Sequence, residues 1–116
     1  MPNDQPWPPE LDALNAAPEN HKLLFENDTV RVLDTRIAPR TTTPLHTHRW
    51  PATLYVLSSS DFIRRDERGV ILLDSRTMSA IPTGSALWSP PLGPHTLENI
   101  GPTEVRIIVV ELKHEI

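Results

Sequence analysis

The stretch PLHTH, residues 44–48, and the stretch PPLGPHTLEN, residues 90–99, together hold three of the five histidines of this 116-residue chain. In an extended strand, side chains two positions apart share a face, so His46 and His48 project to one side and Thr47 to the other. His95 lies far along the sequence but in a similar setting, between a proline-rich turn and a short extended run. If folding brings His95 to the pair, the three imidazoles form a site for one metal ion.

Working outward from these two stretches, short segments rich in β-branched and aromatic residues recur at regular spacing. They are residues 23–25, 30–37, 53–57, 70–73, 86–88 and 105–112. Residues 27–28 and 66–69 are typical of hairpin connections, and the second of them joins residues 61–65 to residues 70–73. No long helical period is present, so the pattern predicts an all-β sandwich or barrel.

The N-terminal region has a different composition, with prolines at positions 2, 6, 8, 9 and 18. It predicts a proline-rich extension over residues 1–21, followed by a single β-barrel domain over residues 22–116. Within the extension we expect one or two helical turns in residues 10–17, where Pro9 suits the first helical position.

Composition narrows the classes of function. The net charge of −4, without a basic stripe, argues against nucleic acid and anionic membranes as partners. The chain has no cysteine, which excludes disulfides, thiolate metal ligands and a cysteine nucleophile. No apolar run approaches the ~20 residues of a membrane span, and the first residues lack the pattern of a signal peptide. We therefore expect a cytoplasmic protein.

The spacing around His95 resembles the second motif of the cupins, G-x5-P-x-G-x2-H-x3-N, through Gly84, Pro90, His95 and Asn99. Only the inner glycine of that motif is displaced, to Gly93. The resemblance covers roughly residues 28–113. It implies a double-stranded β-helix, also called a jelly-roll barrel, with the three histidines inside one end.

The first cupin motif, G-x5-H-x-H-x(3,4)-E-x6-G, is kept in part. His46 and His48 match its histidines, whereas Ala52 or Thr53 stands at the position of the glutamate. Arg40 and Ser59 stand at the two glycine positions. The ligand set that the resemblance implies is therefore His46, His48 and His95 without a carboxylate.

Three neutral imidazoles leave a divalent ion its full charge and open coordination positions, which favours an anionic or chelating small molecule. Imidazole accepts iron, nickel, zinc, manganese and copper, so the sequence does not choose among these metals. Cupins that lack the glutamate include thiol and diketone dioxygenases, and the resemblance implies an oxygenase-like enzyme. The alternative is a non-catalytic module that binds or senses a small molecule. Sugar-nucleotide epimerisation without a metal has the least support.

A homodimer is expected, because such assembly is common among the proteins this chain resembles. The C-terminal segment, residues 104–113, also offers an apolar strand that could form an open edge.

Several other residues are considered as possible parts of the site. Arg64 and Arg65 are neighbours on a strand, so one of them faces each side, and a solvated arginine is favoured over one inside the barrel that pairs with a substrate carboxylate. Trp50 and Tyr55 are most simply residues of the core or of a dimer interface, although Trp50, beside the histidine pair, could line a pocket mouth. Tyr55 is expected to face away from Ala52. His21 and His114, near the two ends of the domain, are assigned no role.

Overall fold

Nine antiparallel strands in two sheets make up the computed structural model, which describes residues 6–113. The strands are β1 (His21–Glu26), β2 (Val30–Ile37), β3 (His46–His48), β4 (Ala52–Ser58), β5 (Phe62–Asp66), β6 (Ile71–Asp74), β7 (Ala86–Ser89), β8 (Leu92–Asn99) and β9 (Val105–Leu112). One sheet has the order β1-β2-β9-β4-β7 and the other β3-β8-β5-β6. The predicted all-β double-stranded β-helix is confirmed.

Both predicted hairpins are present, and each turn is held by one side chain. The Asn27 side-chain oxygen accepts hydrogen bonds from the backbone of Thr29 and Val30 between β1 and β2. The carboxylate of Asp66 does the same for Arg68 and Val70 between β5 and β6. Such local bonds to backbone N–H groups are the reason Asn and Asp favour turns.

The C-terminal strand lies inside its sheet. β9 pairs with β2 along one side and with β4 along the other. The expectation of an open edge at residues 104–113 is therefore wrong: a long β-branched strand of this kind is suited to the middle of a sheet. The edges of the five-stranded sheet are β1 and β7.

The described part of the N-terminal region packs on the barrel. A helix of one turn, α1 (Ala13–Ala16), is capped by the side chain of Asp12, and Ala13 and Ala17 are fully buried. Asp12 also forms an isolated parallel β-bridge with Thr47 of β3. The division into an extension and a barrel at residues 21 and 22 stays a prediction. Residues 1–5 and 114–116, with Pro2 and His114, lie outside the described residues.

Two positions of the cupin motifs keep their backbone conformation, although only one keeps glycine. Gly84 has a φ of 86° and Arg40 a φ of 65°, both in the left-handed region that disfavours most side chains. The Arg40 guanidinium donates a hydrogen bond to the carbonyl of Ile100 at 2.8 Å, which anchors the turn. Asn99 is fully buried and bonds to the backbone of Ile37, Gly101 and Thr103, so it is a structural residue.

The core lies between the sheets. It is formed by Leu33, Ala52 and Val109, with Leu14, Leu54 and Ile107 packed against them. Among the described residues, no helix has the length and apolar character needed to cross a membrane.

Candidate metal centre

Strand pairing brings the three predicted histidines together. β3 pairs with β8 so that His46 lies directly opposite His95, and their ring centroids are 4.4 Å apart. The ring of His48 lies 5.1 Å from that of His46 and 5.8 Å from that of His95. The expected convergence of the two motifs is therefore observed, whereas the binding of a metal there stays a prediction.

A fourth histidine lies in the same cluster. The ring of His21, the first residue of β1, is 4.8 Å from that of His46 and 5.2 Å from that of His48. Nitrogen atoms of these three residues all lie within 4.8 Å of one another. From its sequence position near one end of the predicted domain, His21 is assigned no role. If the pairing of the predicted β1–β2 hairpin is continued away from its turn, His21 comes to lie opposite Thr35 and is placed on the sheet.

Each of the four rings is oriented by a hydrogen bond at Nδ1. The acceptors are the carbonyls of Ala17 for His21 (3.0 Å), Pro44 for His46 (2.8 Å) and Gly93 for His95 (2.7 Å), and the carboxylate of Glu111 for His48 (3.0 Å). A carbonyl or carboxylate oxygen can only accept, so Nδ1 carries the proton in every ring. The lone pair is then on Nε2, which is the tautomer that a metal ligand requires.

Burial keeps three of the four rings neutral. Together with the neighbouring imidazoles, which act in the same direction, burial lowers the pKa of His21 to about 3, of His46 to about 4 and of His95 to about 3. A protonated ring in this setting would lose its hydration and face other rings of the same kind. At neutral pH these three side chains are therefore available as ligands without first losing a proton.

A carboxylate lies directly behind the cluster. Glu111 on β9 is fully buried and lies opposite Ala52 of β4 in the sheet register. One of its oxygens contacts His48, and the other accepts a hydrogen bond from Arg31 at 2.5 Å. Arg31 also bonds both carboxylate oxygens of Asp12, at 2.9 and 3.0 Å. Position 52 thus carries no carboxylate, but its neighbour across the sheet does.

The contacts between Arg31 and its carboxylate partners shift the pKa values of Asp12 and Arg31. Burial alone would raise the pKa of Asp12, but the hydrogen bonds and charge of Arg31 outweigh burial and lower it. The pKa of Arg31 is raised, because its two carboxylate partners outweigh its own desolvation. Arg31 and Asp12, in the wall behind His48, are consequently ionised and paired with each other at neutral pH.

The histidines open onto a cavity of about 90 Å³, which we call the histidine cavity. Its wall includes His21, His46, His48, His95, Trp50 and Ala52. Trp50 therefore lines the cavity beside the histidines, which agrees with the alternative that it lines a pocket mouth. Tyr55 is about half exposed and lies on the other face of β4, as expected.

The interpretation of Arg64 as a solvated arginine, which the sequence favours, is wrong. Arg64 lines the histidine cavity instead of facing solvent. Arg65 points the other way and pairs with Glu98 at 2.8 Å. Parity along β5 requires one arginine to face inward, and pairing with β8 selects Arg64.

The donor set suits a divalent metal ion. Two nitrogens bound to one zinc-like ion at about 2.0–2.1 Å are at most ~4.2 Å apart, so the ligand atoms of His21, His46 and His48, which lie within 4.8 Å of one another, need only a small inward movement. His95 is outside that group of three and joins the cluster through its ring contacts with His46 and His48. Imidazole nitrogens held as neutral Nε2 donors are accepted by zinc, iron, nickel and copper. Hydrogen bonds donated by the rings to carbonyls and a carboxylate are typical of histidine ligands.

Comparison with known proteins supports the fold. The chain matches no protein-family model and no curated protein. It is similar to the crystal structure of a cupin domain from Bordetella pertussis Tohama I, with 20% identity and a TM-score of 0.65 over 81% of this chain and 92% of that chain. An RmlC-like cupin with a double-stranded β-helix from Methanocaldococcus jannaschii matches with 14% identity and a TM-score of 0.58, over 81% and 79%.

An enzyme is also among these structures. The polyketide cyclase RemF from Streptomyces resistomycificus matches with 22% identity and a TM-score of 0.55, over 81% of this chain and 64% of that chain. At these levels of identity the likeness concerns the fold alone. The chain has the double-stranded β-helix fold of the cupins.

Proposed function

Starting from a cupin fold with four histidines at one end of its barrel, we propose that the protein binds one divalent metal ion. His46, His48 and His95 are the ligands that the motifs predict, and His21 adds a fourth imidazole. The observation that carries the proposal is the common tautomer: every ring donates Nδ1–H to a protein oxygen and keeps Nε2 free. Three of these histidines are buried and His48 is half-buried, and a ring that donates Nδ1–H to a protein oxygen is typical of a histidine that ligates a metal through Nε2.

Glu111 supplies the negative charge that the ligand set lacks. Its carboxylate polarises His48 through Nδ1, which makes Nε2 a better donor to a cation. Because Arg31 also binds Glu111, part of that charge is already compensated. An ion at the centre therefore keeps a net positive field and favours an anionic or chelating small molecule as its further ligand.

The metal identity is left open among iron, nickel, zinc, manganese and copper. When bound, such an ion polarises a coordinated substrate or water, or activates oxygen if it is Fe(II). The residues of the chain hold the ion, exclude bulk water and orient the ligand. We propose an oxygenase-like enzyme as the first candidate.

A non-catalytic binding or sensing module is the second candidate. Among the described residues that line the histidine cavity, no free carboxylate and no tyrosine is available as a general acid or base. Chemistry that needs proton transfer by a side chain is thus unsupported, whereas binding needs none. The similarity in fold to a polyketide cyclase keeps non-oxidative chemistry on a small organic molecule within the proposal.

Titration of metal-free protein with Co²⁺ tests the metal site, because cobalt–imidazole bonds produce visible absorption. We expect one ion per chain. His95→Ala and His46→Ala should weaken binding by at least about tenfold, the effect expected when a ligand is removed. Equal binding by these variants and the parent would contradict the assignment, and His21→Ala measures what the fourth imidazole adds.

Oxygen consumption separates the two candidate functions. Protein loaded with Fe²⁺ is supplied with small thiols, diketones and phenols, and oxygen uptake is followed with an electrode. Uptake above that of the His46→Ala variant supports the enzyme. Binding of a compound without uptake, with each of the five metals in turn, supports the binding module.

Assembly as a homodimer is also proposed, through β1 instead of the C-terminal strand. Three consecutive side chains of this edge strand, Leu23, Leu24 and Phe25, are 43%, 49% and 55% exposed. Open edges with apolar side chains favour pairing with a second chain. Light scattering should give the mass of a dimer, and Phe25→Lys should shift it towards a monomer. The cytoplasmic location stays a prediction.

A further inference from the structure

The inner face of β5 presents an arginine to the barrel interior. Arg64 lies opposite Leu97 of β8 in the strand register. Residues directly opposite each other share a face, and His95 lies two positions before Leu97 on the same strand. The Arg64 side chain therefore projects to the same side as His95, into the space between the sheets.

Within residues 6–113, Arg64 has no carboxylate partner. Its Nε atom is buried without a hydrogen bond, and none of the ion pairs among these residues includes it. Burial lowers the pKa of Arg64, yet guanidinium stays charged at neutral pH. Arg64 is half-buried, and a charge held there without a carboxylate partner is unfavourable, so its place in the barrel calls for an external anion.

A larger cavity of about 290 Å³ lies on the other side of Arg64, and we call it the apolar cavity. Its wall includes Val56, Phe62, Leu73, Ile81, Leu87 and Leu97. The histidine cavity and the apolar cavity share seven wall residues, of which Arg64 is the only charged one. Arg64 thus lies at the junction between a cluster of metal-ligating groups and an apolar chamber.

We propose that Arg64 binds the carboxylate of a small amphiphilic acid whose apolar body occupies the apolar cavity. The planar guanidinium matches a carboxylate through two parallel hydrogen bonds, which a neutral head group cannot provide. The apolar body gains from burial against the side chains of the chamber. In this position the acid's polar end faces the histidines, so the inference deepens the proposed function and rests on it for the role of the bound acid.

The test uses three probes of this class, hexanoate, octanoate and phenylacetate, each compared with the corresponding alcohol. Binding to zinc-loaded and metal-free protein is measured by calorimetry. At least one acid should bind the parent at least about tenfold more tightly than its alcohol, the factor expected for a charged hydrogen-bonded pair. Arg64→Met should remove that preference, and Arg65→Met, which changes the outward-facing neighbour, should keep it.

Zinc binding by Arg64→Met separates this inference from the proposed metal site. If the parent binds zinc but no acid more tightly than its alcohol, or if Arg64→Met binds the acids as well as the parent, the role of Arg64 is wrong and the metal site stands. If the parent binds no zinc but shows the Arg64-dependent preference, the metal site is wrong and Arg64 stands. Retained zinc binding by Arg64→Met shows that the variant is folded.

Discussion

Arg31, which is buried, and Arg64, which is half-buried, both lie near the histidine cluster, but their surroundings differ. Arg31, in the wall behind His48, bonds two carboxylates, Asp12 and Glu111. Arg64, on the inner face of β5, has no such partner among the described residues. A buried charge that the protein pairs internally holds the structure together, whereas one left unpaired beside a cavity is available to a ligand.

The largest effect is expected from Arg31→Met. This change leaves Asp12 and Glu111 buried without their cation, which destabilises a fold by about 3–5 kcal/mol. Urea denaturation followed by circular dichroism measures the loss. A loss of less than 1 kcal/mol would show that the wall behind His48 relaxes or admits water, and would remove the contrast with Arg64.

Acid should destabilise the metal-free protein through the histidines. The pKa values of His21, His46 and His95 are about 3 to 4 in the folded protein and near 6.5 when unfolded, so between these values the unfolded chain binds more protons. Their contribution is present above pH 6.5 and is lost as pH falls towards 4. Each histidine can contribute up to about 1.4 kcal/mol per pH unit. Denaturation in the presence of a chelator at a series of pH values measures the slope, and stability that stays constant from pH 7 to pH 5 would contradict neutral burial.

Glu111→Gln should affect the metal more than the fold. The amide keeps the shape and an acceptor for the ring of His48 but removes the charge, and changes of this kind weaken metal affinity by about 10–100-fold. Competition with a chromogenic chelator measures the affinity for zinc. An unchanged affinity would mean that Glu111 stabilises only Arg31 and does not influence the metal through His48.

Arg64→Met should have the smallest effect on stability, and of the opposite sign to Arg31→Met. Replacing an unpaired buried charge by an apolar side chain of similar length should be neutral or stabilising by about 1–2 kcal/mol. The same urea denaturation measures it, with Arg65→Met as the control on the outer face. Destabilisation comparable to that of Arg31→Met would show that Arg64 has a structural partner.

The local pattern of the sequence predicted the strands and the meeting of His46, His48 and His95. Turn residues such as Asn27 and Asp66 act on neighbouring backbone, so their effect is visible in a short segment. The spacing of the histidine motifs matches that of the cupin motifs, and the double-stranded β-helix brings such motifs together. These are the features that depend on nearby residues or on a recognised motif.

The features that the sequence did not predict depend on which strands pair and in which register. Glu111 lies behind His48 because β9 is placed between β2 and β4. The sequence of residues 105–112 alone does not determine which two strands β9 pairs with. Parity showed that Arg64 and Arg65 face opposite sides, but only the pairing with β8 decides which one is inside. His21 joins the cluster through its pairing with Thr35, across a hairpin that contains an irregularity at residues 23–25.

Anomalous X-ray scattering from crystals of zinc-loaded protein tests the central claim most directly. The account predicts one peak per chain inside the barrel, about 2.0–2.1 Å from Nε2 atoms of His46, His48 and His95. A second expected feature is the Nε2 atom of His21 facing the same peak. Zinc bound only at the protein surface, or a histidine cluster that holds no ion in zinc-saturated crystals, would contradict it.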